Sequence, residues 1–263
     1  MQQYSDFSYV YDMFMDNVPY EEWAERIVSI LKAHSIEDGL VLDLGCGTGT
    51  LTEMLSDQGY DMIGIDASED MLAEAREKQY ARMDESLNEN ESSFNPEPEI
   101  LYLCQDITNF ELYGTVRAVV STCDTFNYLT EPEQLLKSLK LVNNYIEPDG
   151  VLIFDINAPE KYEEVLADNV FAENREDASF IWENSYDKES KINEYALTLF
   201  IKDEDTEQYD KTEEYHYQRA YSRNEIKELL DEAGFEIIEN YEEDLRMFYV
   251  AKVAKGRKVG NIG

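Results

Sequence analysis

The stretch Gly39–Gly49, GLVLDLGCGTG, limits what this chain can fold into more than any other. An apolar run, Leu40-Val41-Leu42, is interrupted by Asp43 and closed by Leu44, and glycines follow at the alternate positions 45, 47 and 49. A short apolar run bounded by glycines reads as a strand buried on both faces, the usual state of a strand inside a parallel sheet. A helix-like segment begins at Thr50. Strand, glycine turn and helix bring backbone groups within reach of a ligand, because glycine allows a tight turn and has no side chain in the way.

Two ligand classes use such a turn. Dinucleotide sites use G-x-G-x-x-G, with a pyrophosphate on the helix N-terminus. Here the spacing is G-x-G-x-G, with the acid Asp43 just ahead of it. A carboxylate there repels a pyrophosphate and suits an ammonium group. A second apolar strand, Tyr60 to Ile65, runs into Asp66, roughly twenty residues past the first glycine, where folds of this kind read a ribose diol. Together these describe a cationic nucleoside ligand without phosphates.

The turn closely resembles motif I of the class I S-adenosylmethionine-dependent methyltransferases, and Gly64-Ile65-Asp66 resembles their motif II. The strand Ile100 to Cys104, leading into Gln105-Asp106-Ile107, resembles the third motif, where an acid accepts from the adenine amino group and an apolar neighbour packs on the ring. The resemblance implies an α/β, Rossmann-like fold with a mostly parallel seven-stranded sheet and an antiparallel last strand. It implies S-adenosyl-L-methionine as cofactor, held by Asp43, Gly45, Cys46, Gly47 and Gly49, by Asp66, Ala67 and Met71, by Asp106 and Ile107, and by Cys123 after the fourth strand. Met71 reads equally well as a core residue. In this family an aromatic N-terminal lid closes over the methionine part of the cofactor. Tyr9, Tyr11, Tyr20 and Trp23 are its candidates here, with Tyr9 and Trp23 foremost, and core packing is an equal reading for Trp23.

At 263 residues the chain can bury one sizeable core with a small second lobe. No run reaches the roughly 18 apolar residues of a membrane span. The N-terminus MQQYSDFSYVYD lacks the basic and apolar regions of a secretory signal. Cys46, Cys104 and Cys123 form no C-x-x-C pair and read as thiols of a reducing cytoplasm. With two histidines, His34 and His216, no metal site is expected. The net charge of −36 opposes docking on phosphate backbones, so a nucleic-acid partner is not expected and a small molecule is. The oligomeric state is left open.

Along the chain, Trp23, Ile27, Ile30 and Leu31 give an amphipathic helix from Tyr20 to His34. Ser68 caps a helix that fades near Tyr80, and residues 83–99 read as an acidic loop insertion. Val116 to Ser121 is a strand, Gln134 to Ile146 a helix, and Glu147-Pro148-Asp149-Gly150 a turn into the strand Val151 to Asp155. Residues 157–221 lose the βαβ rhythm. Alternation at Tyr195, Leu197, Leu199 and Ile201, and at Tyr215, Tyr217 and Tyr221, predicts antiparallel strands forming a lid or substrate subdomain. The methyltransferase domain is then 1–156 with 222–254, ending in a β-hairpin, and 255–263 is a tail.

The segment after the fourth strand, Thr122 to Tyr128, lacks the Pro-Pro-aromatic tetrapeptide typical of enzymes that methylate nucleobase amines. Asp124 and Asn127 are the weak catalytic candidates; Asp124 serves either a substrate amine or the cap of the next helix. The aromatic N-terminus and the late sheet insertion resemble the small-molecule branch, which includes glycine N-methyltransferase and the amino-sugar N,N-dimethyltransferases. Such enzymes act by holding two reactants in line and excluding water. An RNA methyltransferase, a nicotinamide dehydrogenase and a non-catalytic cofactor-binding protein are the rival readings.

Overall fold

The computed structural model describes residues 7–89, 99–203, 206 and 208–255. The Gly39–Leu44 run is strand β1, and it lies inside a seven-stranded sheet between β2 (Tyr60–Asp66) and β4 (Val116–Ser121), parallel to both. Alternate residues of β1 serve opposite faces of the sheet. Val41 packs with α2 (Tyr20–Ala33), α3 (Thr50–Asp57) and α4 (Glu69–Glu89). Leu42 and Leu44 pack with α5 (Pro132–Tyr145) and α6 (Arg223–Glu232). That division explains why the run is apolar at successive positions.

Beyond β2 lies β3 (Leu101–Cys104), and beyond β4 lies β5 (Ile146–Asn157), again in parallel. The chain thus winds outward from β1 to one edge, then returns to β4 and winds the other way. The strand order reverses between β1 and β4, and the crevice at their carboxyl ends is where open α/β sheets bind ligands.

Four strands separate β5 from α6: β6 (Val170–Asn174), β7 (Ala178–Asp187), β8 (Ile192–Lys202) and β9 (Tyr209–Arg219). They form an antiparallel sheet of their own, preceded by a π-helical turn over Lys161–Leu166. The N-terminal helix α1 (Phe7–Phe14) packs Val10 and Phe14 against Ala178, Leu197 and Leu199 of this second sheet. The chain ends with β10 (Phe235–Glu243) and β11 (Arg246–Val253), and β11 runs antiparallel to both β10 and β5. The expected α/β sheet and separate antiparallel sheet are both present.

Several local expectations are corrected. Helix α4 does not fade near Tyr80 but continues to Glu89, because the first part of the acidic stretch, Met83-Asp84-Glu85-Ser86-Leu87, has no helix breaker. The rest of the acidic stretch, 90–98, and the tail from 256 onward lie outside the described residues. Glu147-Pro148-Asp149-Gly150 is not a turn ahead of the strand but an irregularity within β5, between the pairings Val116↔Ile146 and Ala118↔Val151. The tyrosine alternation in β9 points the other way from the site: Tyr215 and Tyr217 are exposed, while His216 and Gln218 are buried.

Candidate active site

The glycine turn is tied to the neighbouring strand before any ligand is considered. Gly45 and Cys46 both donate their backbone N–H to the carbonyl of Ile65, at 2.7 and 3.0 Å. Asp66, at the end of β2, accepts from the backbone N–H of Gly47 and of Ser68, each at 2.9 Å. Gly45, Gly47 and Gly49 all have positive φ (81°, 55° and 78°), a backbone state that L side chains rarely adopt. A Cβ on Gly45 would lie 2.3 Å from Thr125 Cγ2, whereas one on Gly47 would meet nothing within 4 Å and point into open space.

That space is a cavity of about 590 Å³, within the range of small-molecule and cofactor sites. Gly45, Gly47, Asp66, Ala67, Met71, Asp106, Ile107 and Cys123 line it, so these sequence-predicted residues share one wall. Asp106 Oδ1 accepts from the backbone N–H of Thr108 at 2.7 Å, which fixes the carboxylate beside the end of β3. Burial pushes the Cys123 thiol up to about 12, so it is a neutral wall residue.

Other expected residues lie off this wall. Cys46 and Gly49 do not line the cavity; a Cβ at Gly49 would fall 2.4 Å from the Tyr102 hydroxyl, so that glycine serves packing between turn and strand. Asp43 is buried behind the turn, where the Thr52 hydroxyl donates to Oδ2 at 2.6 Å. Burial, with Asp66 nearby, pushes its carboxyl up to about 7 against the Thr52 hydrogen bond.

The Asp43 environment gives a testable pH dependence. A carboxyl with a raised folded pKa binds more protons folded than unfolded, so stability falls as pH rises between about 4 and 7. Asp43→Asn keeps an acceptor for Thr52 and removes the charge. The variant is expected to gain on wild type by up to about 1.4 kcal/mol per pH unit across that window, and to match it below pH 4. Urea melts of both proteins between pH 4 and 8 check this; a constant gap across the range would contradict it.

Of the lid candidates, Tyr11 and Trp23 line the cavity and Tyr9 does not. Tyr9 is 62% exposed and outside the lining, while Phe7, Tyr11 and Phe14, at helical spacing on α1, face the cavity. Trp23 also lines it, with its ring edge-on to Tyr20 and Phe248 and under the Arg246 guanidinium at 5.2 Å. Tyr20 sits behind Cys123, whose thiol donates to its hydroxyl at 3.4 Å. Asp12, on α1, accepts from the Thr48 hydroxyl at 2.6 Å and from Lys78 at 2.7 Å, latching the lid helix to the glycine turn and to α4.

At the opposite end, over β5 and β11, a polar network forms the floor. Arg246 donates through Nη1 to Asp155 and through Nη2 to Asp124 Oδ1 at 2.8 Å. Gln218 Nε2 takes the other oxygen of Asp124 at 2.6 Å, and Tyr162 donates to Gln218 Oε1 at 2.9 Å. Asp124 lines the cavity with both oxygens engaged, and its side chain caps no helix. Asn127 is fully buried and outside the lining: its amide donates to the Arg219 carbonyl at 2.8 Å, and its oxygen accepts from the Asn157 N–H at 2.9 Å. It therefore fastens the 3-10 turn after β4 to both sheets. Phe180, Trp182, Tyr195, His216 and Gln218 supply the wall from the second sheet. His216 Nε2 lies 3.2 Å from Glu214 Oε2, and Tyr128 and Tyr195 meet through their hydroxyls.

Arg246, Lys161, Gln218 and His216 escaped the sequence reading. Only the strand alternation of β9 signals the last two, once the inward face is known.

Comparison with known proteins gives the same assignment. Residues 12–240 match the family model described as a methyltransferase domain. A putative methyltransferase, YqeM, of Bacillus subtilis (strain 168) is 35% identical over 237 residues, covering 89% of this chain and 87% of the relative. A Streptomyces venezuelae dTDP-3-amino-3,4,6-trideoxy-alpha-D-glucopyranose N,N-dimethyltransferase is 28% identical over 165 residues, 62% of this chain and 61% of its own length. The crystal structure of an S-adenosylmethionine-dependent methyltransferase from Clostridium acetobutylicum superposes with a TM-score of 0.80 at 27% identity, covering 95% of this chain and 99% of the other. The chain belongs to the methyltransferase-domain family and is an S-adenosylmethionine-dependent methyltransferase.

Proposed function

We propose that the enzyme methylates a small molecule in the cytoplasm, at an amine nitrogen, and that its cofactor lies along the wall from β3 to β4. The observation that carries this reading is the aromatic lining of the acceptor end, where α1 and the second sheet bring Tyr11, Phe180, Trp182 and Tyr195 to the crevice. Such a lining suits a small acceptor. The net charge of −36 also opposes a polyanionic partner. Among the described residues no helix is long and apolar enough to cross a membrane.

The residues present fit the cofactor. Gly47 opens the turn to the ligand, and Asp66 keeps acceptor capacity for the two ribose hydroxyls beyond its two backbone bonds. Asp106 is fixed to accept from the adenine amino group, with Met71 and Ile107 as apolar walls. When bound, the sulfonium supplies an activated methyl group. The chain then has to place a nucleophile in line with it and exclude water, which aromatic walls do without a strong base. Asp124 is not free to act as that base, because Arg246 and Gln218 hold both oxygens. His216 lines the cavity beside Glu214.

The test is methyl transfer from labelled S-adenosylmethionine into a cell extract separated into metabolites, RNA and protein. Label is expected mainly in metabolites, with activity rising with pH toward the amine pKa, since only the neutral amine attacks. Label mainly in RNA or protein would overturn the acceptor assignment and leave the fold and cofactor standing.

A further inference from the structure

Lys161 is a cation at the acceptor end without an anion of its own. It lies in the π-helical turn after β5, lines the cavity and is half-buried. Its Nζ donates to the side-chain oxygen of Asn157 at 2.9 Å, and among the described residues no carboxylate lies within ion-pairing distance of it. The two nearby acids, Asp155 and Asp124, are both bridged by Arg246, and Gln218 takes the second oxygen of Asp124; they attract Lys161 through space without pairing with it directly. An ammonium has three donors, so the neutral amide leaves two of them unspent. Burial without a paired charge is costly, and it draws the Lys161 pKa downward.

Its place in the sheet order separates it from the adenosine end. Asp66 ends β2 and Asp106 follows β3, whereas Asn157, the partner of Lys161, ends β5. Between β5 and β2 lie β4 and β1, so three strand spacings, about 14 Å, divide the two ends of the cavity. Around Lys161 the lining is aromatic and amide, from Trp182, Tyr195 and Gln218. In a protein of charge −36, an anionic small molecule needs a local cation to enter at all.

We infer that Lys161 is the anion-recognition residue of the acceptor subsite, so that the acceptor is an amine that also carries a carboxylate or a phosphate. This rests on the small-amine reading above for the amine, and on Lys161 alone for the anion.

The two parts separate in one experiment. The enzyme saturated with S-adenosylhomocysteine is titrated calorimetrically with phenylacetate, inorganic phosphate and the neutral phenylacetamide. At least one anion is expected to bind tenfold or more tighter than phenylacetamide, and which one does so tells carboxylate from phosphate. Lys161→Met should erase that preference and Lys161→Arg should retain most of it. The methionine variant should keep its affinity for S-adenosylhomocysteine and melt no lower than wild type, because the cation it removes is half-buried and makes no direct ion pair among the described residues. No Lys161-dependent anion binding, a lowered melting temperature, or a matching loss of S-adenosylhomocysteine affinity would each overturn the inference. The last would mean that Lys161 reads the cofactor. Paired acceptors, an amino acid and the amine left on loss of its carboxylate, then test the rest. Anion binding without methylation of either amine would sink the amine reading and leave the anion subsite intact.

Discussion

Arg246→Ala is expected to destabilise the protein by about 3–5 kcal/mol, the scale for breaking a buried ion pair from one side. Asp155 is fully buried on β5, and burial raises its pKa against the pull of Arg246. Its Oδ2 accepts from Arg246 and from the Asp124 N–H, while its Oδ1 has no partner. Removing the guanidinium strands that charge and frees Asp124 from its strongest tie. The deficit should shrink as pH falls, because a carboxyl with a raised folded pKa takes up protons more readily folded than unfolded. Arg246→Met with Asp155→Asn should recover much of the loss, since it removes the pair and not one partner. Urea unfolding of the single and double variants between pH 5 and 8 measures both effects. A single variant within 1 kcal/mol of wild type would show that the pair is a surface-like contact.

Gly45→Ala should rank next, at about 2–5 kcal/mol, from two separable causes. A φ of 81° costs an L residue about 1–2 kcal/mol. The new Cβ would also sit 2.3 Å from Thr125 Cγ2, an overpacking worth about 1–3 kcal/mol. Thr125 cannot easily give way, because its hydroxyl donates to the Thr122 carbonyl at 2.8 Å. Adding Thr125→Ala should therefore relieve most of the clash, leaving the backbone term and a tight 3.0 Å approach to the Cβ of residue 125. If the double variant is no more stable than Gly45→Ala, the contact with Thr125 is not what excludes a side chain there.

These effects show which parts of the molecule were legible in the sequence. The glycine turn was, because three alternating glycines after an apolar run leave few backbone solutions. The ends of β2 and β3 were too, since an acid closing an apolar strand is a local pattern. Lid residues were legible only as a type: helical spacing decides that Phe7, Tyr11 and Phe14 share a face and Tyr9 does not, but what α1 packs on is a tertiary fact. In β9 the period of two was legible and its phase was not, because alternation alone does not say which face is buried. The β10–β11 hairpin turns through Asp244 and Leu245, both at positive φ, where asparagine and glycine are the usual signal. The acceptor floor was hidden for another reason. Asp124, Asp155, Lys161, Gln218 and Arg246 come from segments far apart in the chain, and only the strand order brings them together.

The central claim is that the wall from the glycine turn to Asp66 and Asp106 holds the cofactor. Calorimetric titration of wild type and Asp66→Ala with S-adenosylhomocysteine, and with NAD as control, tests it most directly. Wild type should bind S-adenosylhomocysteine and not NAD, and the variant, if folded, should bind it about 1.5–3 kcal/mol more weakly through loss of charge-assisted hydrogen bonds to the ribose. Equal affinities in wild type and variant, or binding of NAD in place of S-adenosylhomocysteine, would contradict it.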